Sequence, residues 1–225
     1  DNSRINGLNI GVGGPGSAST NQLGNTVLGA DALPGANGGV SPDPTGTTGI
    51  YNTAIGYRTL RINYQGSGNV AIGADALKEN KIGGANIAIG QLAMSSLEGN
   101  SPTMNNVAIG TLALQNCVNT QNSVAIGANS LQQLAGVGNN DDVTFGYNTA
   151  VGASSLGNCS AGCYNTVIGG QAGMAVNASK NNVFVGYQSG DRTAPSNNIG
   201  DNNVGVGAQS LPSLQDGASD NVAIG

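Results

Sequence analysis

The sequence of 225 residues contains no histidine and no tryptophan, and it is poor in charged and aromatic residues, at 8% and 4%. The absence of histidine excludes Ser-His-Asp and Cys-His catalytic arrangements. The chain has only seven lysine and arginine residues and a net charge of -5, so we expect no binding to nucleic acid through its phosphates. No apolar run approaches the ~18 residues of a transmembrane helix, and we therefore expect no membrane span in this segment.

Glycine and asparagine dominate instead, with 38 and 31 residues. Helix bundles and coiled coils are rich in alanine, leucine, glutamate and lysine, so this composition argues against both. Collagen needs glycine at every third position, and the chain shows no such period. With few bulky side chains available for a thick core, the composition predicts a long, thin structure.

A five-residue unit of the form Asn-β-small-β-Gly recurs along the whole chain, where β stands for a β-branched residue. Five of the eleven intervals between successive unit glycines are 17 residues long, and the others range from 16 to 27. The units end at Gly13, Gly29, Gly56, Gly73, Gly90, Gly110, Gly127, Gly152, Gly169, Gly186, Gly207 and Gly225. The pattern predicts one repetitive domain over residues 1–225, built from about twelve 17-residue coils with loop insertions, as a segment of a longer fibre protein.

The unit reads as a short strand whose successive side chains point to opposite faces. The residues three and one before each glycine are almost all Ile, Val or Thr, so we expect them to form one buried, β-branched face. The residue between them is mostly alanine and is expected to point the other way, towards a second surface that approaches closely. A second short segment after the glycine carries a leucine, which we expect to point inward.

The asparagine and glycine of each unit are predicted to be structural. Stacked asparagine amides can hydrogen-bond from coil to coil, although asparagine also simply favours turns. Each glycine is expected to mark a turn with positive φ or a close backbone approach. The clearest copies of these two positions are Asn69, Gly73, Asn86, Gly90, Asn106, Gly110, Asn165 and Gly169.

Together these features predict an all-β fold, a parallel β-solenoid or β-roll. Each coil encloses few apolar side chains, and the small-residue face suits contact with another chain. Closed cyclic symmetry is the usual arrangement of identical chains. We therefore expect a homotrimeric fibre, with a single-chain solenoid as the alternative that periodicity leaves open.

Units such as Ser123-Val124-Ala125-Ile126-Gly127 resemble the head repeats of trimeric autotransporter adhesins. The longer period and continuations such as Gly186-Tyr187-Gln188-Ser189-Gly190 resemble repeats in bacteriophage tail fibres. The second resemblance implies a virion fibre or extracellular surface appendage that attaches to a host cell-surface glycan or protein receptor and assembles with other fibre or tail proteins. A bacterial adhesin head and a polysaccharide-degrading tailspike are the alternatives.

The insertions, at residues 30–51, 91–105, 128–148 and 187–202, are expected to carry recognition because loops on a rigid scaffold usually do. Three tyrosines that follow a glycine, Tyr57, Tyr147 and Tyr187, are predicted to point outward as sugar-stacking or packing residues. Arg58 and Arg192 could hydrogen-bond glycans, and the simpler interpretation of all five is a solvated surface residue or an interchain contact.

The sequence predicts no enzyme, no cofactor and no metal site. Asp31 and Asp75 share one repeat position, so a carboxylate pair of the glycosidase type remains an alternative to two solvated acids. Cys159 and Cys163 flank a short loop and could form a disulfide or remain two reduced thiols, and Cys117 is left over.

Overall fold

A computed structural model describes residues 3–5, 8–12, 24–33, 49–96, 103–134, 145–174, 176–191, 199–212, 214 and 216–225. The described residues are all-β and contain no helix. The strands are β1 (Ser3–Ile5), β2 (Leu8–Val12), β3 (Thr26–Leu28), β4 (Thr53–Ile55), β5 (Val70–Ile72), β6 (Ile87–Ile89), β7 (Val107–Ile109), β8 (Thr120–Gln121), β9 (Val124–Ile126), β10 (Phe145–Gly146), β11 (Thr149–Val151), β12 (Thr166–Ile168), β13 (Val183–Val185), β14 (Val204–Val206) and β15 (Val222–Ile224).

The strands of the repeat unit stack into one parallel sheet, in the order of the sequence from β3 to β15. The register is strict, so that Ala54 pairs with Ala71 and Ala71 pairs with Ala88. The two short strands β8 and β10 pair in parallel at one side of this sheet. The predicted parallel β-solenoid is therefore confirmed.

The first copy of the repeat departs from the parallel arrangement. Strand β2 pairs antiparallel with β3, and β1 pairs antiparallel with β2. The interval from Gly13 to Gly29 is 16 residues, the shortest in the chain and one residue less than a regular coil. A reversal into an antiparallel pair needs less chain than a complete crossover. The described residues thus stack eleven parallel rungs, close to the expected number of about twelve coils. A rung here is one coil's strand and turn.

The faces of the sheet are reversed relative to the sequence prediction. The central residue of the strands in the parallel stack points inward, and Ala54, Ala71, Ala88 and Ala108 are completely buried. The β-branched residues on either side point outward and are half-buried or exposed, with Ile168 at 42% exposure. The expected inward β-branched face is therefore wrong for the single chain.

The inward leucine explains why the strand centre is occupied mostly by small residues. Leu60, Leu77 and Leu114 follow the unit glycine by four residues, and each is fully buried against the strand. The close second surface anticipated from the alanines is thus the turn of the same coil and not another chain. These leucines have φ near +48°, a left-handed conformation held by hydrogen bonds to adjacent rungs, such as Leu77 N–H to the Ala93 carbonyl at 3.0 Å.

Candidate functional site

The asparagine at the start of each unit forms a buried amide ladder along the solenoid. The Asn69 backbone N–H donates to Asn52 Oδ1 at 2.9 Å, and its side-chain Nδ2 donates to the same oxygen at 3.1 Å. The same Nδ2 also donates to the Gly83 carbonyl of the next rung at 2.9 Å. Each of these side chains thus ties three successive rungs together, and Asn86, Asn106 and Asn165 repeat the arrangement.

Ser123 interrupts this ladder between Asn106 and Asn148. Its backbone N–H still donates to Asn106 Oδ1 at 2.9 Å, and its hydroxyl accepts the Asn148 N–H at 3.3 Å. The hydroxyl donates to the carbonyl of Gln121 in its own rung, so no side-chain amide spans this junction. The ladder therefore continues through Ser123 with fewer and longer hydrogen bonds.

The unit glycines form a second structural column. Gly73 has φ of 127° and Gly90 has φ of 134°, in a region that L-residues rarely adopt. A Cβ on Gly90 would lie 2.5 Å from the carbonyl oxygen of Gly110 on the next rung. Both backbone conformation and close approach thus require glycine, and Gly110 and Gly169 meet the same two conditions.

We call the outward-pointing side chains of the sheet the outer face. It consists of the residues three and one before each unit glycine, from Thr26 and Leu28 on the first rung to Val222 and Ile224 on the last. All of these residues are Val, Ile, Leu or Thr, and none is charged. At ~4.8 Å per rung, eleven rungs give an apolar stripe about 50 Å long and two columns wide.

We call the residues immediately before the ladder asparagines the ladder corner, at the edge where each strand begins. Tyr147 and Tyr164 occupy this position on adjacent rungs, and both have positive φ. Their rings are stacked, with centroids 5.1 Å apart and planes inclined by 17°. Tyr147 is 44% exposed and Tyr164 is 54% exposed, so the pair stands in solvent.

The same corner continues with exposed polar side chains on the next three rungs. Asn181 Nδ2 donates to Asn202 Oδ1 at 3.3 Å, and Asn202 Nδ2 donates to Asp220 Oδ1 at 3.1 Å. This outer amide ladder runs parallel to the buried one but is exposed to solvent. The ladder corner thus changes from aromatic to amide to carboxylate along five rungs.

The opposite edge of the sheet, where each strand ends, carries two other predicted residues. Tyr57 directly follows its unit glycine, and the guanidinium of Arg58 lies 4.7 Å from the centre of its ring. Arg58 also binds Asp75 of the next rung at 2.8 Å, and this hydrogen bond raises the pKa of the Arg58 guanidinium. Asp31 is on the rung before Arg58, so this arginine separates the two aspartates that share its repeat position.

Tyr187 occupies the same edge as Tyr57, seven rungs further along the solenoid. Its hydroxyl contacts Gln171 Oε1 at 3.2 Å, and Gln188 and Gln209 extend a line of amide hydrogen bonds from that glutamine. This group stands in solvent, with Tyr187 at 55% exposure.

The structure does not bring the predicted binding residues together. Tyr57, Arg58 and Tyr187 lie at one edge of the sheet and Tyr147 lies at the other, while Arg192 lies outside the described residues. The central residues of all four predicted insertions also lie outside them. Tyr164 was missed by the sequence reasoning, although it precedes a ladder asparagine and follows Tyr147 by one 17-residue period.

The three cysteines are free thiols and are buried. Cys117 and Cys159 occupy the same repeat position, seven residues after a unit glycine, and both point into the core. Burial raises the pKa of each of these thiols to about 12 and also raises the pKa of Cys163. At neutral pH the thiols are therefore protonated and unreactive.

No group of three or more His, Cys, Asp or Glu residues in the described parts of the chain is placed to hold a metal ion. Within those same parts, no helix is long and apolar enough to cross a membrane. Comparison of the chain with family models, with curated proteins and with solved structures gives no match in any of the three.

Proposed function

We propose that this chain is a segment of a homotrimeric virion fibre of the phage tail-fibre type, which attaches to the surface of a host cell. The observation that carries the proposal is the outer face, an uncharged and mainly β-branched stripe along the solenoid that the described residues leave half-buried or exposed. The repeat resemblance supplies the fibre type, and it supports a location on a virion or another extracellular appendage.

The outer face suits a second and third copy of the same chain. Its side chains recur at every rung, and a partner must share that spacing to stay in register over about 50 Å. The stripe covers about 500 Å² per chain if two columns span about 10 Å, so two such faces in contact bury about 1,000 Å², the lower limit of a specific interface.

Two columns of apolar side chains favour three chains over two. In a ring of three, each chain has two neighbours, and one column can contact each of them. Valine and isoleucine are stiff at χ1 and lose little conformational freedom when such a contact forms. The three stripes would then enclose a narrow apolar core around one axis, with the two corners of each solenoid outside it.

The assembly is tested by native mass spectrometry and sedimentation of the purified chain. We expect a species of three times the 22.1 kDa chain mass. A clean monomer would overturn the proposal, and a dimer would overturn the threefold arrangement.

The biological role is tested separately with antibodies raised against the chain. We expect immunogold labelling along the tail fibres of virus particles, and we expect the labelled protein to adsorb to cells of a susceptible bacterial strain. Labelling of a bacterial surface in the absence of virus would instead favour an adhesin head. Release of new reducing ends from host capsule by the purified protein would favour a tailspike enzyme.

A further inference from the structure

We infer that the ladder corner around Tyr147 and Tyr164 binds an extended, electrically neutral glycan that lies along the solenoid. The site consists of these two tyrosines together with Asn181, Asn202 and Asp220 on the next three rungs. The inference rests on the proposed attachment to a host surface and names the place and the ligand class for it.

The tyrosine pair provides the stacking surface. Each ring uses one face for the other ring, at a centroid distance of 5.1 Å. Their neighbours in the column are the shorter side chains Asn122 and Asn181, and the tyrosines are 44% and 54% exposed, so part of each ring is accessible to a pyranose ring. An aromatic body with a polar tip suits a ligand that presents C–H groups on one face and hydroxyls at its edge.

The hydroxyls of the two tyrosines donate no hydrogen bond to any described residue, whereas Tyr187 at the opposite edge contacts Gln171. Tyr147 and Tyr164 therefore keep both donor and acceptor capacity for a ligand. Two free phenol hydroxyls that lie one rung apart suit a ligand whose own hydroxyls recur along its length.

The exposed amides continue the same line. Asn181 and Asn202 each use one side-chain N–H within the outer amide ladder, and each amide nitrogen has a second one that is not used there. The carbonyl oxygen of Asn181 accepts no hydrogen bond from the described residues. This differs from the buried ladder, in which Asn165 Nδ2 donates to two acceptors and its Oδ1 accepts from Asn182.

The length and charge of the corner define the ligand class. Five rungs at ~4.8 Å span about 19 Å, enough for several sugar residues in an extended chain. Lys180, Asp201 and Asp220 are the charged residues at or directly before the ladder corner on these rungs, so the local formal charge is negative. These carboxylates would repel an acidic glycan but not a neutral one.

The test uses tetrasaccharides of glucose, mannose and galactose as neutral probes and a sialic acid tetramer as the acidic one. Binding is followed by tyrosine fluorescence and by saturation-transfer NMR on the native assembly. We expect saturable binding of at least one neutral probe, and no binding of the acidic one. Tyr147→Ala and Tyr164→Ala should each weaken it by about tenfold, the size expected for one lost aromatic contact.

Tyr187→Ala is the matched control, because Tyr187 has nearly the same exposure as Tyr164 but lies at the opposite edge. It should leave the affinity unchanged. Asn181→Ala should weaken binding by a smaller factor, with an unchanged melting temperature.

Several results would overturn the inference. These are failure of all neutral probes to saturate, preference for the sialic acid tetramer, or equal losses in Tyr187→Ala and Tyr164→Ala. Trimer mass and adsorption to cells are measured on the same samples. If both persist in the tyrosine variants while no neutral glycan binds, the glycan site fails and the fibre function stands.

Discussion

The ring of Phe184 occupies the space that a leucine fills in most other rungs, and Gly190 is the residue that leaves this space empty. A Cβ on Gly190 would lie 2.6 Å from the Phe184 ring, and both residues are buried in the same coil. Val167 and Gly173 show the same exchange one rung earlier, with a Gly173 Cβ 3.2 Å from Val167 Cγ2. In these two coils, the larger residue at the strand centre is thus offset by a glycine at the leucine position.

This exchange predicts a compensating double substitution. Phe184→Ala should leave a cavity and lower the free energy of unfolding by about 3–5 kcal/mol. Gly190→Leu should also destabilise because its side chain meets the phenylalanine ring, although leucine tolerates this backbone conformation in other rungs. The double variant restores the usual alanine and leucine, and chemical unfolding should place its stability above that of both single variants. Simple additivity of the two losses would contradict the shared space.

The direction of the strand side chains is tested by two neighbouring residues. Ala108→Asp puts an unpaired charge into the closed core and should unfold the chain, at a cost above about 4 kcal/mol. Ile109→Asp puts the same charge on the outer face and should leave the coil folded but break the proposed trimer. Circular dichroism and native mass spectrometry distinguish the two effects. Unfolding by Ile109→Asp with a tolerant Ala108→Asp would restore the orientation expected from the sequence.

The buried ladder can be shortened or completed. Asn86→Ala removes an acceptor from the Asn106 N–H and a donor from the Thr103 carbonyl, and should cost about 1–3 kcal/mol for each group left unsatisfied. Ser123→Asn should raise the melting temperature because a side-chain amide can then span the interrupted junction. Thermal unfolding of both variants provides the measurement. A Ser123→Asn protein that melts below the parent would refute the idea that the missing amide weakens the ladder at Ser123.

The glycine column should not accept alanine. Gly90→Ala combines an unfavourable φ of 134° with a Cβ 2.5 Å from a backbone oxygen, so we expect a loss of at least about 1–3 kcal/mol. Gly217→Ala is the control, since its φ is also positive but its Cβ would have open space. A similar melting temperature for both variants would show that the close approach between rungs contributes nothing.

The buried cysteines should not react with thiol reagents in the folded protein. Because burial raises the pKa of Cys117 and Cys159 to about 12, the thiolate fraction at neutral pH is very small. A thiol-specific reagent should therefore modify these two residues only after unfolding, when all three cysteines become titratable without a reductant. Detection of one thiol instead of three after unfolding would indicate a bond between Cys159 and Cys163.

The sequence was sufficient for the periodicity but not for the orientation of the faces. A strand that alternates between β-branched residues and alanine has two apolar faces, and its period does not say which one is inside. The larger residues lie outside because Leu77 and its equivalents already fill the narrow coil. The ladder could be foreseen from Asn69 and its repeats, because stacked amides at one repeat position can hydrogen-bond from coil to coil.

The candidate site was foreseen only in part. Tyr147 follows a glycine and was recognised as exposed, but its ring partner Tyr164 follows a cysteine. Alignment of the residues that precede each ladder asparagine brings the two together. Of the site residues, Tyr147 and Asn202 lie at the ends of two predicted insertions, whereas Tyr164 and Asn181 lie on regular 17-residue repeats.

The interrupted ladder at Ser123 also has a mechanical consequence. Under axial tension the rungs of a solenoid are junctions in series, so the weakest junction limits the load that the whole shaft can bear. The step from Ser123 to Asn148 has the longer 3.3 Å contact and no amide across it. Among the described ladder junctions, a pulling force along the solenoid would therefore open this one first, directly below the Tyr147 and Tyr164 pair.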